Sequence, residues 1–256
     1  MDFDKPTVLP KDMKAIVSKY PFGKLLECEN LGGIPNTTYK VICKNKTAAI
    51  RVYSHGQSSL EHIKLEMKVL QHLAKEGFES PRLIAGKNGK ILQQWEGYWV
   101  SASEFIPGEM ADTVEISPKL VSDVGRIVAS LHRALESLDI EKIPEGESFL
   151  QKGATVMRSL IPALENRGLN IDACKIISQW KQAQEPFVRN KSILRRHVIH
   201  ADIWPPNIIC NKERVIGLVD FDDCCEGAIC IDVALALMEF SMFKDFTMDP
   251  ELATAF

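Results

Sequence analysis

The sequence predicts an α+β protein in two lobes, a β-rich first lobe followed by a mainly helical one. Three observations predict it. The chain has 256 residues, 45% of them hydrophobic, enough for one large core or two modest ones. Alternating, β-branched runs crowd its first part, whereas apolar residues at three- and four-residue steps dominate after Pro107-Gly108. That Pro-Gly pair stops regular structure and suits a hinge, so the lobes are expected at residues 1–106 and 107–256.

"KLLECENLGG" and "TYKVIC" are expected as two strands joined through "NLGGIPNT", with "TAAIRVYS" a third, together a meander. Between Ser58 and Glu76 the apolar residues Leu60, Ile63, Met67, Leu70 and Leu73 share one face after a Ser cap, predicting an amphipathic helix. "GYWVSASEFIPGE" is a further strand ending at Pro107. Beyond it Leu120, Val121, Val124, Ile127, Val128, Leu131 and Leu135 form a helical stripe, and weaker helical patterns cover 154–164 and 171–187.

A net charge of −3 leaves no basic surplus for a phosphate backbone, which argues against nucleic acid as a partner. No run is long and uncharged enough for a bilayer, and "MDFDKPTVLP" lacks a signal-peptide core, so a cytoplasmic, membrane-free protein is expected. Seven cysteines without a CxxC pair read as reduced core thiols. The oligomeric state is not legible.

The chemistry concentrates in "HVIHADIWPPNIICNKERVIGLVDFDDCC", residues 197–225, where carboxylates interrupt apolar runs. Burying unpaired charge costs several kcal/mol, so these groups must have partners. Two prolines force "ADIWPPN" into a loop, and "IIC" and "VIGLVDF" read as strands around the turn "NKER". A hairpin there brings Asp202, Asn207 and Asp220 to one point. Asn207 and Asp220 offer oxygen ligands to a hard cation such as Mg²⁺, and Asp202 can accept a proton from a hydroxyl. The same order of Asp, Asn five residues on, and a later Asp serves phosphoryl transfer in protein kinases.

"HADIWPPN", "LVDFDD" and "ICIDVALAL" resemble the aminoglycoside phosphotransferase and choline kinase superfamily of small-molecule kinases, with an H-x-D-x-x-x-x-N segment, a short hairpin and an I/V-D-F/W segment. "HAD", the "NTTY" turn and the spacing to "DVALAL" look most like type II homoserine kinases. The resemblance implies a bilobal protein-kinase-like fold, ATP and Mg²⁺ as cofactors, and a small-molecule hydroxyl acceptor: homoserine first, or choline, hydroxylysine or an aminoglycoside. A nucleotide-binding pseudokinase is the non-catalytic alternative. Members continue through several more helices, so the fold is expected to be incomplete at the C-terminus.

By the same resemblance Asp202 is the catalytic base, and Asn207 and Asp220 hold the metal. "NLGGIPNTTYKV" becomes the turn over the phosphates, in which Gly32 and Gly33 allow close approach and Asn36 and Thr37 offer hydrogen-bonding groups. Arg51 takes the place of a strand lysine, paired with Glu66 or its rival Glu61. Glu104 and Ile106 are expected to meet adenine through their backbone. Asp222 is a candidate for a substrate ammonium group, against simple solvation. His200 and Asp232 are expected as structural support, Asp232 bracing the catalytic loop in preference to capping a helix. His132 is expected to be a packed histidine.

Overall fold

A computed structural model describes residues 8–55, 59–138, 173–190, 192–243, 245 and 247–256. The expected helix at 154–164 lies outside them.

Among the described residues the first element is a helix that the sequence reading did not anticipate, α1 (Pro10–Ser18). Proline stands at its start, where a missing N–H costs nothing, and Met13, Ile16 and Val17 turn one buried face inward. Strands β1 (Leu25–Gly32), β2 (Thr37–Cys43) and β3 (Thr47–Val52) form the expected antiparallel meander. With β4 (Gln93–Trp95) and β5 (Tyr98–Glu104) they make a five-stranded sheet in the order β1-β2-β3-β5-β4. Val41, Ile50, Val52, Val100 and Ala102 from this sheet bury against Met13, Ile16, Tyr20 and Phe22. Burial of side chains of this size stabilises by about 1.5–3 kcal/mol each.

Helix α2 (Leu60–Lys75) begins at Ser59, whose hydroxyl accepts from the His62 N–H at 3.2 Å. Its apolar face joins a second core. Ile63, Leu70 and Leu73 lie in one cluster with Leu120, Val124 and Leu131 of α3 (Pro118–Leu135) and with Ile208 and Leu218. The apolar core is therefore shared across residues 106 and 107, and α2 is the element that carries it over. Seven residues of the stripe expected on α3, Leu120 through Leu135, are buried.

Among the described residues five strands follow the hinge, three of them in one sheet and two in another. Strand β6 (Glu109–Met110) pairs with β8 (Ile208–Asn211), which pairs with β9 (Arg214–Leu218). At Gly108 a Cβ would stand 2.6 Å from the Cys210 carbonyl oxygen, so only glycine lets the hinge lie so close to β8. Helix α4 (Ala173–Arg189) precedes β7 (Arg196–Ile199), and β7 pairs antiparallel with β10 (Cys225–Ala228). Then come α5 (Ile229–Ser241) and α6 (Pro250–Ala255), both against α3. Among the described residues no helix is long and apolar enough to cross a membrane. Cys43, Cys210 and Cys224 are buried free thiols, raised by burial above the ordinary thiol range.

Candidate active site

The two lobes enclose a cleft of about 510 Å³ between the sheet and the β8–β9 hairpin. Gly33, Arg51, Glu66 and Ile106 line it from one side and Asn207 and Asp220 from the other. A smaller pocket of about 230 Å³ lies beside Asp202, between Ile203, Trp204, Leu235 and Glu239. Trp204 borders both.

The loop after β7 is fixed from beneath. Asp232, fully buried in the first turns of α5, accepts the His200 N–H and the Ala201 N–H, each at 2.8 Å. Satisfying two buried donors with one carboxylate is the work of a brace, and it holds Ala201 at φ 64°. The fully buried His200 ring spans the same loop: Nε2 is 3.0 Å from the Val219 carbonyl, and Nδ1 accepts the Asp202 N–H at 3.2 Å. That pattern makes the ring a neutral Nε2–H tautomer, and burial lowers its pKa. His132 is also buried, its Nε2 3.4 Å from Asp232 and its ring against His197. Burial, then the neighbouring His197, His200 and Arg195, pull it down to about 4.

Asp202 is thereby presented half-buried at the pocket. Asn207 donates its amide to the Asp202 carbonyl at 2.9 Å and to Asp202 Oδ2 at 2.8 Å. Its amide oxygen accepts no hydrogen bond among the described residues. Asp220 sits at the end of β9 with φ 67°, a left-handed conformation that an Asp tolerates better than most residues. Burial pushes its carboxyl up to about 7, against the opposing pull of Arg51. Its buried Oδ1 has ion pairing alone, 2.8 Å from Arg51 Nη2. Of the three residues expected at one point, Asn207 touches Asp202, and Asn207 and Asp220 line the cleft together.

An amide oxygen and a buried carboxylate oxygen with reserve accepting capacity fit a hard, oxygen-seeking cation. Among the described residues no group of three or more His, Cys, Asp or Glu converges as a self-sufficient metal cage. The donor set is one that a cation completes with water and phosphate oxygens.

Other expected residues take different places. Arg51 does not ion-pair with Glu66. Its ion pairs are to Asp220 and, at 2.5 Å, to Asp222. Glu66 is buried and accepts instead from the Tyr53 hydroxyl at 3.0 Å; burial pushes it up to about 7, with Arg51 opposing. Glu61 lies exposed on the helix surface, so Glu66 is the helix carboxylate that faces the cleft.

Asp222 is not free for a substrate ammonium group, because Oδ2 already takes Arg51 and the Asn36 amide at 2.8 Å. Burial works against its ionisation, but Arg51, Asp220 and Asn36 together hold its pKa below the ordinary carboxylate value. Asn36 in turn is not an open phosphate donor: its other end accepts the Ser54 N–H at 3.0 Å. Thr37 is buried in β2. Gly32 and Gly33 lie at φ 87° and 112°, and a Cβ on Gly33 would stand 2.4 Å from the Asn36 carbonyl oxygen. The turn therefore needs glycine for its shape.

At the hinge, the Glu104 N–H is spent on the Arg82 carbonyl at 2.8 Å, and its side chain ion-pairs with Lys46 at 2.6 Å. The Ile106 backbone makes no hydrogen bond among the described residues. Missed in the sequence were Tyr53, which holds Glu66, and His62, whose Nε2 is 2.6 Å from the Asp222 carbonyl oxygen. Trp204 and Glu239, the walls of the small pocket, were missed too. His62 carried a faint signal, one turn from Glu66 on the same helix.

The sequence model of the phosphotransferase enzyme family (APH) matches residues 28–256. The chain is 24% identical over 254 residues to a homoserine kinase of Methylobacillus flagellatus, covering 98% of this chain and 75% of that one. It is 21% identical over 253 residues to a homoserine kinase of Gluconobacter oxydans, covering 95% and 75%. Among solved structures, the amicoumacin kinase hAmiN in complex with AMP-PNP and Ca²⁺ superposes with TM-score 0.68 at 15% identity, over 95% of this chain and 74% of that one. A microcompartment-associated aminopropanol kinase superposes at TM-score 0.64 and 19% identity, over 96% and 77%. The fold is protein-kinase-like, and this chain belongs to the phosphotransferase enzyme family, as an ATP-dependent small-molecule kinase.

Proposed function

We propose that the protein transfers the γ-phosphoryl group of ATP to a hydroxyl of a small amino compound, with homoserine the first acceptor to test. One observation carries the reading: Asn207 touches the Asp202 carboxylate at 2.8 Å while lining the cleft, so base and phosphate site adjoin through a single side chain. Adenine would lie against Ile106, whose backbone N–H and carbonyl are unspent. The Gly32-Gly33 turn would cover the phosphates, and Arg51 would reach them from β3.

Asn207 and Asp220 would hold Mg²⁺. Bound there, the cation neutralises charge on the phosphate oxygens. The acceptor hydroxyl would enter from the small pocket, where Asp202 orients it and takes its proton. Trp204, with an aromatic face, and Glu239, with a carboxylate, suit an ammonium group on that acceptor. General-base help contributes roughly 10²–10⁴-fold, so positioning and charge stabilisation supply most of the acceleration.

The ion pair of Arg51 with Asp220 favours a second reading, a nucleotide-binding module without turnover, because it joins the phosphate cation to a metal ligand. ADP release with Mg-ATP, measured across homoserine, choline, hydroxylysine and an aminoglycoside, separates the two. The kinase reading expects one acceptor to stimulate release, and Asp202→Asn to lose that stimulation by about 10²–10⁴-fold with nucleotide affinity kept within about twofold. Nucleotide binding with no stimulated release by any acceptor supports the second reading.

A further inference from the structure

The contacts of Asp222 point to a function beyond charge. It belongs to the β9–β10 connection of the C-lobe and neighbours Asp220 there, yet three of its polar partners lie on separate elements of the other lobe. Oδ2 accepts from Asn36 in the β1–β2 turn at 2.8 Å and from Arg51 on β3 at 2.5 Å. Its backbone carbonyl meets His62 on α2 at 2.6 Å. The Asn36 side chain passes the connection on, because its oxygen holds the Ser54 N–H where β3 ends. These partners lie 186, 171 and 160 residues away in the chain.

We propose that Asp222 is a positioning residue that clasps the N-lobe onto the metal-binding strand end, fixing the glycine turn and Arg51 above Asn207 and Asp220. The geometry requires it to act through others: its carboxylate is occupied by Asn36 and Arg51, and it lies two residues beyond Asp220. Arg51 is thus held from the opposite lobe and not from α2. Whether Arg51 stands over the phosphates therefore depends on the lobes being closed. The hydrogen bond to Asn36 is partly buried and made to a charged acceptor, the kind that is costly to break.

This inference rests on the phosphoryl-transfer reading, and a double-mutant cycle separates the two. Asn36→Ala and Asp222→Ala are each expected to lower kcat/KM for ATP by about tenfold or more. If the two act as one unit, the double variant is no worse than the poorer single, far from the roughly hundredfold loss of independent sites. Asn36 carries no charge, so a purely electrostatic effect of Asp222 on phosphate or cation gives an additive cycle. Hydrogen exchange supplies a second readout: the amides of residues 30–36 and 51–54 should exchange faster in Asp222→Ala, with those of α3 unchanged. Asp222→Asn, which keeps an acceptor oxygen, should recover most of the slow exchange.

An additive cycle, or unchanged exchange in the turn, overturns the clasp. A wild-type chain that binds no nucleotide overturns the phosphoryl-transfer reading instead. Should Asp222→Ala fail to fold, the exchange of Asn36→Ala decides at residues 51–53, because Ser54 loses its own acceptor in that variant and the clasp requires the loosening to reach Arg51.

Discussion

The cleft and the small pocket meet at Trp204, yet they are built by opposite rules. In the cleft, functional side chains have fixed partners: Arg51 has two carboxylates, Glu66 has Tyr53, and Asn207 has Asp202. In the pocket, Glu239 is exposed and makes no hydrogen bond or ion pair among the described residues, and Trp204 is 43% exposed. Rigid positioning suits a ligand whose triphosphate never varies. A wall of loosely held side chains can be changed without disturbing the fold, which is how one scaffold serves different acceptors. Asp202 belongs to both regimes, standing in the open pocket while its backbone is fixed through His200 and Asn207.

The strongest way to break this contrast is to remove the brace. Asp232→Ala leaves the His200 and Ala201 N–H groups buried without an acceptor, at about 1–3 kcal/mol each. The expected result is a melting temperature lower by about 10 °C together with slower turnover, read by calorimetry and ADP release. Unchanged melting would remove the brace from the account.

Acid probes the same floor. His132 is pulled down to about 4 in the fold from an ordinary 6.5, so between those values the unfolded chain binds the extra proton. Its contribution is whole above pH 6.5 and is lost as pH falls towards 4, on the order of 3 kcal/mol. Thermal unfolding at pH 7 and pH 5 should show the drop, and His132→Gln should remove most of the slope.

The pocket should respond more mildly. Glu239→Gln is expected to raise the KM for an ammonium-bearing acceptor about tenfold, roughly 1.4 kcal/mol, with the KM for ATP unchanged. A shift in both constants would erase the distinction between the two cavities. The smallest effect belongs to Ala201, whose left-handed backbone costs an alanine about 1–2 kcal/mol, partly offset by the greater chain entropy of glycine. Ala201→Gly should therefore raise the melting temperature by only about 1–2 °C, as differential scanning calorimetry can resolve.

What could be read from the sequence was local. Asp202, Asn207 and Asp220 flank one hairpin, and two prolines and a short turn fix its two ends. Meander, amphipathic helix and the α3 stripe followed from periodicity. The α1 signal was present too, as Pro10 and a Met13, Ile16, Val17 face, but Leu9 at its N-cap has no side-chain oxygen, and the cap comes instead from Asp12, whose carboxylate accepts the Leu9 N–H. The β7–β10 pair joins short segments through their backbones, so residue type says little about it.

Distance in sequence explains the rest. That Arg51 would meet Asp222 and not Glu66 depends on how the lobes close, and no periodicity encodes a contact across 171 residues. Glu66 and Tyr53 are 13 residues apart, yet their bond depends on α2 packing over β3. Glu239 gave no sign because an exposed Glu on a helix is ordinary until the pocket beside it is seen.

Trp204 makes the molecule its own optical instrument. An indole bordering both cavities changes its surroundings when either is filled, so on the proposed function its emission would read nucleotide from one side and acceptor from the other. The sequence has four tryptophans. With the other three replaced by phenylalanine, one fluorescence trace would give the order in which the two substrates arrive.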